Sequence, residues 1–234
     1  MDRKTIVHLF FIVFLTSILF SCLEDRSCEY GEAIRPYFSS VGIDISHHQG
    51  EVNWEDVFGQ FSDECAIHFV YLKATEGETL VDTKWYTNRN ELIALDIPHG
   101  AYHFYRFEVD PKKQAQHFLA NYQPRKNDLP PVLDVEIDYA EKREEMTQSI
   151  LTWLQKVENL TGVRPIIYTS YYMYKDWMKD SFPDYRFWVA GYDLNYMPYI
   201  LRDDQIIHWQ YTDDANLINH RRIKIDLNAS KIEF

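Results

Sequence analysis

The sequence predicts an α/β fold: an irregular, TIM-like barrel of eight strands and about five helices. Three observations carry this. Short apolar runs alternate with helical patterns five times between residues 41 and 179, the rhythm of strands joined by crossover helices in a parallel sheet. Three further strand-like runs, at 186–192, 205–211 and 222–227, follow with connections too short or too proline-broken for good helices, so the helical ring is incomplete. No Gly/Ser linker, composition break or internal repeat divides the chain, which makes the barrel a single unit.

In chain order, residues 1–21 read as a signal peptide of the lipoprotein type. Arg3 and Lys4 give a basic start, residues 6–20 an apolar core short for a membrane span, and Ser21-Cys22 resembles a lipobox in which Cys22 takes the lipid. Residues 22–40 read as a tether, with Glu24-Asp25 resembling the acidic cue of surface-displayed lipoproteins. The expected address is therefore outside the cytoplasm, on a membrane through a lipid anchor only, at the outer membrane or cell surface. Cys28 and Cys65 leave two readings open, a pairing in an oxidising compartment or a buried thiol at Cys65.

The barrel occupies 41–234. Its first strand is expected at 41–46, followed by a short helix from Asn53 and a second strand at 67–74. A helix at 84–95 leads to a strand at 98–105, and Pro111 starts the next helix. Leu129-Pro130-Pro131-Val132-Leu133-Asp134-Val135-Glu136 reads as a buried fourth strand. A long helix at 142–160 carries Ile150, Leu151, Leu154 and Val157 on one stripe and stops at Gly162. A fifth strand at 164–169 and an aromatic helix at 172–179 complete the regular part. Trp54, Trp85, Trp153 and Trp177 fall in helical segments and are expected in the core.

The fourth strand also carries the chemistry. Strand side chains alternate, so Asp134 and Glu136 share one face and Leu133 and Val135 the other. Paired carboxylates are what glycosidic bond cleavage requires. Barrels of this kind keep their site at the carboxyl ends of the strands. Those ends give Asp44, Lys73, His103, Asp134 with Glu136, Tyr168, Trp188 with Tyr192, Gln210 and Asp226. A net charge of −12 disfavours nucleic acid or an anionic membrane surface as partner. His47, His48 and His103 show no metal-ligand spacing, so neither metal nor cofactor is expected.

Six stretches together are similar to the signatures of family 25 glycoside hydrolases, the N,O-diacetylmuramidase or bacterial and phage-type lysozyme family. They are Gly42-Ile43-Asp44-Ile45-Ser46-His47-His48-Gln49-Gly50, Lys73-Ala74-Thr75-Glu76-Gly77, Gly100-Ala101-Tyr102-His103-Phe104, Leu133-Asp134-Val135-Glu136, Ile167-Tyr168-Thr169-Ser170 and Trp209-Gln210-Tyr211. The resemblance implies an irregular barrel that cleaves the β-1,4 bond between N-acetylmuramic acid and N-acetylglucosamine in peptidoglycan glycan strands. It places Glu136 as general acid, Asp134 as its partner, and Asp44 and Asp226 as further acids of the site. It puts Tyr102, Tyr168, Trp188, Tyr192 and Gln210 along the sugar groove; Lys73 and His103 are candidates for substrate contact from their place at the strand ends, Lys73 also reading as a buried partner to the site acids. Asp-x-Glu enzymes acting on 2-acetamido sugars can use the substrate's own acetamido oxygen as nucleophile, with Asp134 orienting it; inversion through an activated water stands beside that route. A non-hydrolytic glycan-binding barrel and a chitinase-like hydrolase are the other classes considered, and a monomer is expected.

Overall fold

The computed structural model describes residue 34 and residues 36–59, 66–217 and 223–234. The expected signal segment 1–21, the lipidation position Cys22, and Cys28 and Cys65 lie outside the described residues.

The expected barrel is present. Strands β1 (Ser40–Ile45), β2 (Phe69–Glu76), β4 (His99–Phe104), β5 (Val132–Asp134), β6 (Ile166–Ser170), β7 (Arg186–Ala190), β8 (Ile206–Leu217) and β9 (Ile223–Ser230) follow one another around it. The circuit runs β1-β9-β8-β7-β6-β5-β4-β2 and closes by β1–β2 pairing, with a two-residue β3 (Leu80–Val81) added on the edge of β2. Helices α1 (Trp54–Gly59), α2 (Trp85–Ala94), α3 (Pro111–Asn121) and α4 (Arg143–Thr161) cover the outside. A helical stretch running Tyr171–Met173, Tyr174–Met178 in π geometry and Lys179–Ser181 follows, and α5 (Met197–Arg202) adds a short helix that the sequence pattern did not show.

Local chemistry explains the helix ends. Asp110 caps α3 by accepting from the Lys112 amide at 2.8 Å, and Pro111 sits where no helix amide is needed. Gly162 ends α4 in the left-handed conformation, φ 72°, with its amide on the Glu158 carbonyl. Between these ends α4 buries Met146, Ile150, Trp153, Leu154 and Val157, while Leu151 of the expected stripe is only partly covered. All four tryptophans expected in the core are buried.

Strand alternation divides the apolar residues into two layers. Phe69, Tyr71, Leu129, Val132, Ile166, Tyr168 and Trp188 fill the barrel interior. Leu133, Val135, Ile167, Phe187 and Val189 face outward into the larger layer under the helices. Being buried on both faces is what makes these strands read as continuous apolar runs.

Two expectations are corrected. The strands are not all parallel: β9 runs antiparallel to both β1 and β8. The short link between β8 and β9 leaves no room for the crossover a parallel partner needs, so the two form a hairpin. The tether is also shorter than 22–40. Ile34 and Phe38 are buried, Phe38 packs on Trp209 with ring centroids 5.9 Å apart, and the Ser39 amide bonds the Ser230 carbonyl at 2.8 Å.

Two motif glycines are there for space. A Cβ on Gly42 would meet the Phe69 ring at 2.5 Å, and one on Gly100 would meet Tyr71 at 2.4 Å and the Leu129 Cβ at 2.9 Å. All three neighbours belong to the barrel interior, which has no slack for a methyl group. Gly100→Ala should therefore lower stability by about 1–3 kcal/mol, read as a lower urea midpoint at unchanged slope; an unchanged midpoint would contradict the packing described.

Candidate active site

At the carboxyl ends of the parallel strands a groove of about 270 Å³ opens. Asp44 and Ser46 enter it from β1 and its end, Lys73 from β2, and Tyr102 and Phe104 from β4. Val132, Asp134 and Glu136 form the next wall, and Tyr168, Trp188, Gln210 and Asp226 complete the circuit. Asp134 is the last residue of β5, so Glu136 stands just beyond the strand; the face alternation nonetheless continues, with Val135 turned into the outer core. Asp134 is buried and Glu136 stands at the solvent-reachable mouth.

Asp226 reaches the rim through the reversal of β9. It lies within β9, opposite Asp44 in the β1–β9 register, and the antiparallel direction carries the first half of β9 to the end where the other strands finish. The pair is held by amide donors. Gln210 Nε2 donates to Asp44 Oδ2 at 3.0 Å and to Asp226 Oδ2 at 3.3 Å, and Asn228 Nδ2 donates to Asp44 Oδ2 at 2.8 Å. The amides are themselves oriented. The Tyr168 and Tyr192 hydroxyls donate to Gln210 Oε1 at 2.7 and 2.9 Å, and Trp188 Nε1 donates to Asn228 Oδ1 at 2.9 Å.

Burial pushes Asp44 above the usual carboxylate range, against the Asn228 and Gln210 hydrogen bonds that favour its charge. Burial, then the charge of Asp44, raises Asp226 as well, so the two share a proton near neutrality. Burial, then Glu136, raises Asp134 strongly. Partial burial also raises Glu136, against the cations of Lys73 and Arg106. Asp134 Oδ1 is buried with no hydrogen-bond partner among the described residues.

The other sequence candidates fall out as follows. Trp188 is buried, 5.0 Å from Tyr71 and 4.9 Å from Tyr168 between ring centroids, and forms the floor of the groove. Tyr192 is exposed at the rim with only its hydroxyl tied inward. Lys73 is buried and paired with Glu76 at 2.7 Å. His103 is a correction. It points away from the groove, fully buried, with Nδ1 2.7 Å from the Thr75 hydroxyl and Nε2 3.2 Å from Gln114 Oε1 of α3. Its neighbour Tyr102 faces in, and adjacent strand residues cannot both do so. Burial lowers the His103 imidazole to about 3, so it stays neutral.

Sequence reading missed Asn228 and Glu76. Asp226-x-Asn228 carries the same one-face spacing as Asp134-x-Glu136 and was legible as such. The Ser46-His47-His48-Gln49-Gly50 stretch proves to be a capped turn. The Ser46 amide donates to Gln49 Oε1 at 2.9 Å, and His47 Nδ1 is 2.6 Å from buried Asp82. His48 and Gln49 thereby reach the groove edge. Among the described residues no group of three or more His, Cys, Asp or Glu is arranged to hold a metal ion.

Known proteins share this arrangement of chain. The autolytic lysozyme of Clostridium acetobutylicum is 27% identical over 176 residues, covering 75% of this chain and 51% of that protein. YegX of Escherichia coli strain K12 is 35% identical over 153 residues, covering 64% of this chain and 56% of that protein. The chain thus spans about half the length of these curated relatives. A family 25 glycosyl hydrolase from Bacillus anthracis superposes with a TM-score of 0.69 at 28% identity, over 82% of this chain and 89% of that one. A bacterial lysozyme from Streptomyces coelicolor shares the fold, TM-score 0.67 at 24% identity, over 83% and 93% of the two chains. Residues 43–220 match the model of glycosyl hydrolases family 25, and the chain belongs to that family.

Proposed function

We propose that this chain is a peptidoglycan muramidase, a lysozyme that cleaves the β-1,4 bond between N-acetylmuramic acid and N-acetylglucosamine. The observation that supports it most is the Asp134–Glu136 pair, one acid buried with a bare acceptor oxygen and the other at the mouth with a raised proton affinity. A 2-acetamido sugar supplies the N–H that Asp134 Oδ1 lacks. Without substrate, burial favours a proton on Asp134 even more than on Glu136. An amide N–H donated to Asp134 stabilises its charged form, and the proton of the pair passes to Glu136. Glu136 is then the general acid that protonates the leaving oxygen. Charged Asp134 polarises the acetamido oxygen for attack on the anomeric carbon, the substrate-assisted route to retention. The Asp44–Asp226 pair, reduced to a single negative charge by one shared proton, lines the far side, with the tyrosines and Trp188 excluding water.

Glu136→Gln should cut wall hydrolysis by about 10²–10⁴-fold with an unchanged melting temperature. Near-wild-type turnover would remove Glu136 from the mechanism. The substrate-assisted route predicts a first-formed β anomer by proton NMR and strong inhibition by a thiazoline analogue; a first-formed α anomer would establish inversion instead. Because the acid must be protonated, the rate falls as pH rises through its pKa. That descent should lie above the ordinary glutamate range near ~4.3, and a rate already lost by that pH would contradict the raised proton affinity.

The address is proposed from Arg3, Lys4, the apolar run and Ser21-Cys22: an exported, lipid-anchored protein whose peptidoglycan partner lies outside the cytoplasm. A labelled fatty acid should enter the wild type and not Cys22→Ala. An unlabelled wild type would leave plain secretion.

A further inference from the structure

A cluster beside the groove has no part in the mechanism above. Glu76 closes β2 and accepts from Lys73 Nζ on Oε2 at 2.7 Å and from Arg106 Nε on Oε1 at 2.9 Å, with Arg106 Nη2 also on Oε1. Both cations lie over the Phe104 ring, the Lys73 ammonium 4.8 Å and the Arg106 guanidinium 4.6 Å from its centroid. Phe104 and Lys73 line the groove that holds Asp134 and Glu136.

A β-bulge builds this cluster. Lys73 pairs with Tyr102, but Thr75 pairs with His103 and Glu76 with Phe104, so Ala74 is an extra residue in β2. Ala74 packs in the outer core and Thr75 bonds outward to His103, so two successive residues face the helices. Lys73 and Glu76 therefore both reach the groove side at a spacing that regular alternation forbids.

We propose that Glu76 is a positioning residue that clamps Lys73 and Arg106 and so keeps their charge from pairing directly with Asp134 and Glu136. Without the clamp, Lys73 is an unpaired cation lining the same groove as the two carboxylates, and an ion pair there would hold them ionised when one must carry the proton. Glu76 resists protonation in this role: burial pushes its carboxyl up, but the bonds from Lys73 and Arg106 outweigh burial and hold it below the usual range. The other groups facing Glu136 cannot substitute. Asp134, Asp44 and Asp226 are acids that must themselves share protons, and Tyr102 and Tyr168 are neutral phenols whose own ionisation is pushed well up by burial.

The inference rests on Glu136 being the acid, and the test separates the two. Carboxyl NMR titration of Glu136 in the full chain needs no turnover. Glu76→Gln should lower its titration, and with it the alkaline descent of wall hydrolysis, by roughly one pH unit. Arg106→Gln should move both upward, and E76Q/R106Q should lie between the two singles. A Glu136 titration unmoved in E76Q, or an activity loss equal at every pH, would overturn the proposal. Should E76Q fail to fold, R106Q decides alone, because an unmoved titration there shows the cluster is not coupled to Glu136. A wild type that titrates as described but releases nothing from walls at any pH would refute the muramidase reading and leave the Glu76 clamp standing.

Discussion

Asp44, Asp134, Glu136 and Asp226 face one groove, and like charges so confined cannot all be ionised. Much of the surrounding structure is arranged around that constraint. Gln210 and Asn228 spend their amide donors on Asp44, and Gln210 reaches Asp226 too; two tyrosine hydroxyls and the Trp188 indole fix which way those amides point. On the opposite wall, Lys73 and Arg106 supply positive charge and Glu76 holds it in place. The result is two acid pairs in different surroundings. One is hydrogen-bonded and settled; the other keeps an acceptor bare and a proton available.

That division follows from how the barrel closes. β9 enters antiparallel between β1 and β8, which sets Asp226 opposite Asp44 and puts Asn228 one alternation deeper. A parallel strand in the same place would present its other end to the groove. The interior layer beneath, from Phe69 to Trp188, fills the barrel so tightly that Gly42 and Gly100 have no room for a side chain. The acids therefore rest on an apolar floor, and burial is the first cause of the raised proton affinity of all four.

Much of this was legible in the sequence because strand alternation is a strict rule. Asp134 and Glu136 were placed on one face from their spacing, and the apolar run before them signalled a strand buried on both sides. The same rule, applied to Tyr102 and His103, would have turned His103 away from the groove. The bulge at Ala74 was not legible, since nothing in Lys73-Ala74-Thr75-Glu76 marks the extra residue, and Glu76 was missed with it. The direction of β9 was open to the same kind of reasoning as His103, since the residues between the runs at 205–211 and 222–227 are too few for a parallel crossover. Ile34 and Phe38 lay in a stretch too short and mixed to show periodicity, and only their burial against the barrel reveals them as part of the fold.

The ends of the released fragments report which bond is cut. Purified peptidoglycan digested with the full chain, reduced with borohydride and analysed by mass spectrometry should yield fragments ending in reduced N-acetylmuramic acid. Fragments ending in reduced N-acetylglucosamine, or cut only in the peptide, would contradict it.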